Sequence, residues 1–180
     1  MKKQAILIMV ILAFVVFASG CTDTSDNSTS SKNTFSQEGI SFEYPSSWGD
    51  FQKLGGSGTD QLKNLGYING ADNVDVQVQK TNLALVPPGT VEYVKNSSVE
   101  YYKDYYNATV LNDTKTSVNG LDHYEVILST NTPAYKEKHY IVVMGKDNEV
   151  GYSIDFSAPV SRFNKQLPIF KSVEQTISIQ

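Results

Sequence analysis

The residues best equipped for chemistry are His123 and His139, the two histidines of the chain, with Asp122, Glu125 and Glu137 close by in sequence. Imidazole and carboxylate groups converging on one point are the donor set of a zinc-type divalent ion, and such a site needs three or four ligands. His123, His139 and Glu125 are the candidate ligands. Both histidines fall in segments that read as adjacent strands, so pairing register decides whether they meet. An even sum of paired residue numbers lets Glu125 face His139 with His123 on the same side; an odd sum sends the histidines to opposite faces. With two histidines and no cysteine partner in the mature domain, the expectation is that no metal and no cofactor is held.

Other chemistry finds little support. Serine and aspartate are plentiful, but there is no Gly-x-Ser-x-Gly elbow, no His-Glu-x-x-His and no Ser-x-x-Lys. Gly55-Gly-Ser-Gly58 lacks the Lys-Ser/Thr that follows in a phosphate loop, and reads as a turn. The chain is therefore expected not to be an enzyme. A contact role has a better candidate. Tyr101, Tyr102, Tyr105 and Tyr106 form two i,i+4 pairs on one helix. The expectation is that Tyr101 and Tyr105 pack on the sheet while Tyr102 and Tyr106 are exposed for a partner, since tyrosine loses little entropy on ordering. Asn-x-Ser/Thr sites occur at Asn27, Asn96, Asn107 and Asn112. In a chain with 13 asparagines such sites arise by chance, so they are possible rather than expected glycan carriers.

The address of the protein is easier to read than its chemistry. Residues 1–21 run from Lys2-Lys3 through an uncharged apolar stretch, Ala5 to Ala18, to Ser19-Gly20-Cys21. That is a secretory signal peptide of residues 1–20 ending in a lipobox, with Cys21 as the thiol that takes the lipid. The apolar stretch is short for a membrane span, which needs roughly 20 residues. Localisation on the outer face of the cell membrane follows, with the membrane itself the first partner. Residues 21–37 are expected to be a polar tether and 38–180 one domain. Cys21 is the single cysteine, so once it is acylated no disulfide or thiolate catalysis is available. The formal charge is −4, and a single arginine (Arg162) with scattered lysines argues against nucleic acid.

The elements that must position these residues follow from periodicity. Ile40–Tyr44 alternates as a half-buried strand, Phe51–Leu54 reads as a short second one, and residues 73–79 place Val74, Val76 and Val78 on one side. Thr90 caps a helix over 91–106. Four strands, about 108–118, 121–130, 137–145 and 149–157, are separated by turns, of which Asn119-Gly120 is a strong hairpin signal. Phe163, Leu167, Phe170 and Val173 mark a second helix, with Pro168 predicting a kink or two short helices. Long antiparallel pairing with two helices gives an α+β domain with helices packed on one sheet.

Three stretches carry a resemblance: Gly39-Ile-Ser-Phe-Glu-Tyr-Pro-Ser-Ser-Trp48, Val118-Asn-Gly-Leu-Asp-His-Tyr-Glu125, and Gly151-Tyr-Ser-Ile-Asp-Phe-Ser-Ala-Pro159 with the helix and Ile177-Ser-Ile179 that follow. In these the chain resembles PsbP-like (Mog/PsbP-fold) domains of prokaryotic lipoproteins. The resemblance implies an α-β-α sandwich, an antiparallel sheet of about six strands between helices, used for docking or assembly. Its motifs are strand ends, turns and core aromatics, so it brings no active site. The reading is a non-enzymatic, lipid-anchored extracytoplasmic protein that binds or helps assemble another cell-surface protein. A carrier or sensor of a small ligand or glycan is the alternative, and a metal-dependent enzyme a distant third. A pocket with convergent polar groups favours the carrier; an exposed aromatic patch favours docking.

Overall fold

The computed structural model describes residues 31–133 and 136–180; the signal segment, Cys21 and Asn27 lie outside them. Ten strands and two longer helices follow in the order β1 (Lys32–Gln37), β2 (Ile40–Pro45), β3 (Gln52–Gly58), β4 (Leu62–Gly70), β5 (Val74–Asn82), α1 (Val91–Tyr106), β6 (Thr109–Val118), β7 (Leu121–Ser129), β8 (Glu137–Lys146), β9 (Val150–Pro159), α2 (Val160–Glu174) and β10 (Ser178–Ile179). The main sheet has seven strands, ordered β3-β4-β5-β9-β8-β7-β6, and β1-β2-β10 form a second, three-stranded sheet. Every pairing is antiparallel. The class is α+β as expected, with more strands than the expected single sheet of about six.

The extra strands come from segments whose local signal is weak. β1 lies in the stretch expected to be tether, yet Phe35 within it is fully buried and pairs with Phe42 of β2. One aromatic residue supplies enough apolar area to dock a strand that is otherwise polar. The folded unit therefore reaches back to Lys32 rather than starting at 38. The glycine-rich segment 55–58 is part of edge strand β3, whose register against β4 breaks between Lys53 and Ser57. The Asn119-Gly120 hairpin is as read: both residues have positive φ, 53° and 78°, the backbone of a tight two-residue turn.

The helices cover opposite faces of the main sheet. β8 makes this plain, because Tyr140, Val142 and Met144 join the core beneath α2 while Ile141 and Val143 join the core beneath α1. The α2 core is the larger and is rich in rings; Trp48 stacks on Tyr44 and meets Phe170 edge-on at 5.9 Å. α2 is one continuous helix despite Pro168, since Phe163, Gln166, Phe170 and Val173 all bury one side of it. α1 is capped by Thr90, whose hydroxyl accepts from the Tyr93 N–H at 3.2 Å. It lies chiefly across β7, β8 and β9, and a groove is left between it and the α1-side surface of β4 and β5.

Candidate functional site

The register between β7 and β8 pairs His123 with Met144 and Leu128 with His139. The sums are odd, so the two histidines occupy opposite faces and never meet. The trio His123, His139 and Glu125 is thereby divided, and each histidine builds its own cluster.

His139 lies on the α1 side. Its Nδ1 is 3.1 and 3.2 Å from the two carboxylate oxygens of Asp155 on β9, and its Nε2 is 4.0 Å from Glu137. The Tyr102 ring from α1 covers the imidazole at 4.3 Å between centroids, and the Tyr102 hydroxyl donates to Asp155. Burial alone would lower the His139 pKa; the charge and hydrogen bond of Asp155, aided by Glu137 and Asp75, outweigh it and hold the pKa above the usual value. Burial raises the carboxyls of Asp75 and Glu137, with Asp155 adding to both shifts and His139 opposing them. The cluster favours the protonated imidazole and positions Tyr102.

His123 lies on the α2 side and is 5% exposed. Its Nδ1 is 2.8 Å from the Thr116 hydroxyl on β6, and its Nε2 is 2.8 Å from Glu174 Oε1 at the end of α2. Glu125 faces the same way from β7. The Tyr140 hydroxyl sits between the carboxylates, 2.7 Å from Glu125 Oε2 and 2.6 Å from Glu174 Oε2, and Lys171 Nζ approaches Glu125 Oε2 at 3.1 Å. Burial pushes the Glu125 carboxyl up, but Tyr140 and Lys171 bring it below its usual value. One donor atom from each of His123, Glu125 and Glu174 falls within 4.8 Å of the others. Glu174 was invisible to sequence reasoning, because only the docking of α2 brings it to β7.

Beside the His139 cluster a groove of about 520 Å³ runs between α1 and the sheet. Its floor is Gln77, Gln79 and Thr81 of β5 with Ser153 and Asp155 of β9. Tyr93, Tyr101 and Tyr102 form the wall on α1. The tyrosine phase is the reverse of the expected one. Tyr101 and Tyr105 are 49% and 72% exposed, while Tyr102 and Tyr106 are half-buried. The buried stripe of α1 is Val91, Val94, Lys95 and Val99, and steps of three and four from Val99 arrive at Tyr102 and Tyr106. Of the possible glycan sites, Asn96 is exposed in mid-helix, Asn107 ends α1 with a φ of 49°, and Asn112 on β6 donates its amide to Thr114 at 3.1 Å. Among the described residues no helix is long and apolar enough to cross a membrane.

The sequence profile of the PsbP family matches residues 30–179. The chain belongs to the PsbP family. Among solved structures, that of cyanobacterial PsbP (CyanoP) from Synechocystis sp. PCC 6803 superimposes with a TM-score of 0.64 at 14% identity, covering 91% of this chain and 99% of that one. LpqN, involved in cell envelope biogenesis of Mycobacterium tuberculosis, gives a TM-score of 0.49 at 8% identity over 91% of this chain and 99% of that one. A search of curated protein sequences finds no match. At such identities the likeness concerns the fold.

Proposed function

We propose that this PsbP-family protein is a non-enzymatic, extracytoplasmic lipoprotein, anchored through Cys21, that binds and helps assemble another cell-surface protein through its α1 face. The observation that supports it most is the crowding of exposed aromatic and aliphatic side chains there. Tyr93, Tyr101 and Leu62 border the groove at 38%, 49% and 43% exposure, with Tyr105 beside them. Tyr101 contacts Tyr105 at 5.2 Å and Tyr106 at 5.7 Å between ring centroids, a continuous aromatic surface with little left to order on binding. A tether of polar residues keeps the domain close to the membrane, where partners are concentrated and modest affinity suffices.

The test is capture from detergent-solubilised native membranes with wild-type protein and with Tyr101→Ser, Tyr105→Ser. Loss of specific co-purifying proteins from the variant supports the reading; an unchanged set rejects this face. A second reading has its own support, the neutral polar floor of the groove. Gln77, Gln79, Thr81 and Ser153 offer amide and hydroxyl partners to an uncharged small ligand such as a glycan, in a volume usual for such sites. Saturation-transfer NMR with neutral oligosaccharides separates the two readings.

A further inference from the structure

The α2-side cluster has more buried acceptor atoms than donors to satisfy them. Tyr140 brings one hydroxyl hydrogen to two carboxylates that both lie within 2.7 Å of it. His123 Nε2 and Glu174 Oε1 are fully buried and 2.8 Å apart, yet neither has a hydrogen-bond partner, because the contact is not aligned with the ring N–H direction. Two donors on a tetrahedral zinc ion, each at about 2.1 Å, sit about 3.4 Å apart, so the 2.8 Å pair needs to open by only about 0.6 Å to take an ion between them. The imidazole is also set up as a ligand. Thr116 Oγ1 lies 2.8 Å from Nδ1 on the side away from the carboxylates, where it can accept an Nδ1–H and so free the Nε2 lone pair for an ion.

We propose that His123 Nε2, Glu174 and Glu125 form a binding site for a zinc-type divalent ion, with Thr116 and Tyr140 as the groups that orient the ligands. The site is independent of the α1 face and lies across the sheet from it. One imidazole and two carboxylates suit zinc or cobalt, and the two negative charges offset the cost of bringing a doubly charged ion into a largely buried place. Lys171 is the cation that pairs with one of these ligands in the ion's absence, its Nζ 3.1 Å from Glu125 Oε2. Its side chain is 48% exposed, so it swings to solvent when an ion binds. Removing Lys171 therefore strengthens ion binding, an effect that a purely structural ion pair does not produce.

The experiment uses the full chain in detergent, stripped with a chelator and titrated with Co²⁺ while visible absorption is followed, then competed with Zn²⁺. One Co²⁺ per chain with a d–d band displaced by one Zn²⁺ is expected. His123→Gln and Glu174→Gln should weaken binding at least about 100-fold, given that losing a mere orienting partner costs 10–100-fold. His139→Gln leaves it unchanged and Lys171→Met tightens it several-fold. Circular dichroism identifies a variant that fails to fold, and the surface change Lys171→Met then decides. Substoichiometric binding by wild type, or binding indifferent to His123, or weakened by Lys171→Met, overturns the proposal.

Discussion

The reversed phase of α1 separates two pairs of tyrosines that look equivalent in sequence, and the double substitutions Tyr102→Ser, Tyr106→Ser and Tyr101→Ser, Tyr105→Ser should have opposite consequences. Tyr102 packs its ring on His139 at 4.3 Å and donates its hydroxyl to Asp155, whose side chain is only 14% exposed. Truncating a largely buried aromatic ring costs about 3 kcal/mol, and a hydrogen bond to a charged group is worth about 1.5–3 kcal/mol. The two losses share one environment and are not additive, so about 4 kcal/mol is the working figure. At 2–4 °C per kcal/mol for a domain of this size, the Tm should fall by about 8–16 °C. Tyr101 and Tyr105 lose mostly solvent-facing surface, and serine and tyrosine have similar helix propensities, so that pair should cost within about 1 kcal/mol. Thermal and urea unfolding followed by circular dichroism measure both. Equal losses, or a larger loss for Tyr101 and Tyr105, would refute the assignment of faces and with it the proposed contact surface.

The raised pKa of His139 makes its contribution to stability full below about pH 6.5 and lost as pH rises through its native value; the raised Asp75 and Glu137 carboxyls act in the same direction from lower pH. The urea midpoint should fall between pH 6 and 9 in wild type, and His139→Gln should flatten that slope; a wild-type midpoint that rises over this range would contradict the cluster's electrostatics. On the acid side Glu125, held low, loses its share only as pH falls from about 4.5 through its native value. Gly145→Ala places a Cβ 2.1 Å from the Val150 carbonyl oxygen at the closed end of the β8–β9 hairpin, and should cost about 1–3 kcal/mol or more in the same unfolding assays. Cys21→Ser should leave the precursor uncleaved and free of lipid, read by the mass of protein purified from its host; an unchanged acyl mass would place the anchor elsewhere.

Where local chemistry dominates, the fold was legible. Thr90 and the apolar stripe set α1 to its observed limits, and Asn119-Gly120 fixed the β6–β7 hairpin because only residues tolerant of positive φ suit such a turn. Tertiary context decided the rest. Lys32–Gln37 has one apolar anchor, Phe35, and becomes a strand only because Phe42 and Phe51 wait at 5.0 and 4.8 Å to receive it. Pro168 predicts a break by its own chemistry, yet the buried side chains on either side of it keep α2 whole. The tyrosine error has a similar origin. A seven-residue step from Val94 reaches Tyr101, but the buried stripe drifts through Lys95 and Val99 to Tyr102; Lys95 is buried with its ammonium held 2.7 Å from Asp113.

The sites were less legible than the fold, for a reason that the histidines make concrete. Their separation in sequence was known and their strands were correctly placed, but a single residue of register determined whether they shared a face. Nothing local sets that residue, because the residues linking β7 to β8 lack the tight-turn signature that fixed the hairpin before them. Once the sum is odd, each histidine must find partners on its own side, and those partners come from elements remote in sequence: Asp155 and Tyr102 for one, Thr116 and Glu174 for the other. The sheet thus places one buried imidazole beneath each helix. On the α1 side three carboxylates and a tyrosine favour the protonated ring. On the α2 side His123 Nε2 and Glu174 Oε1 are buried without a hydrogen-bond partner and Glu125 converges on the same point, which is why the metal proposal attaches to His123 and not to His139.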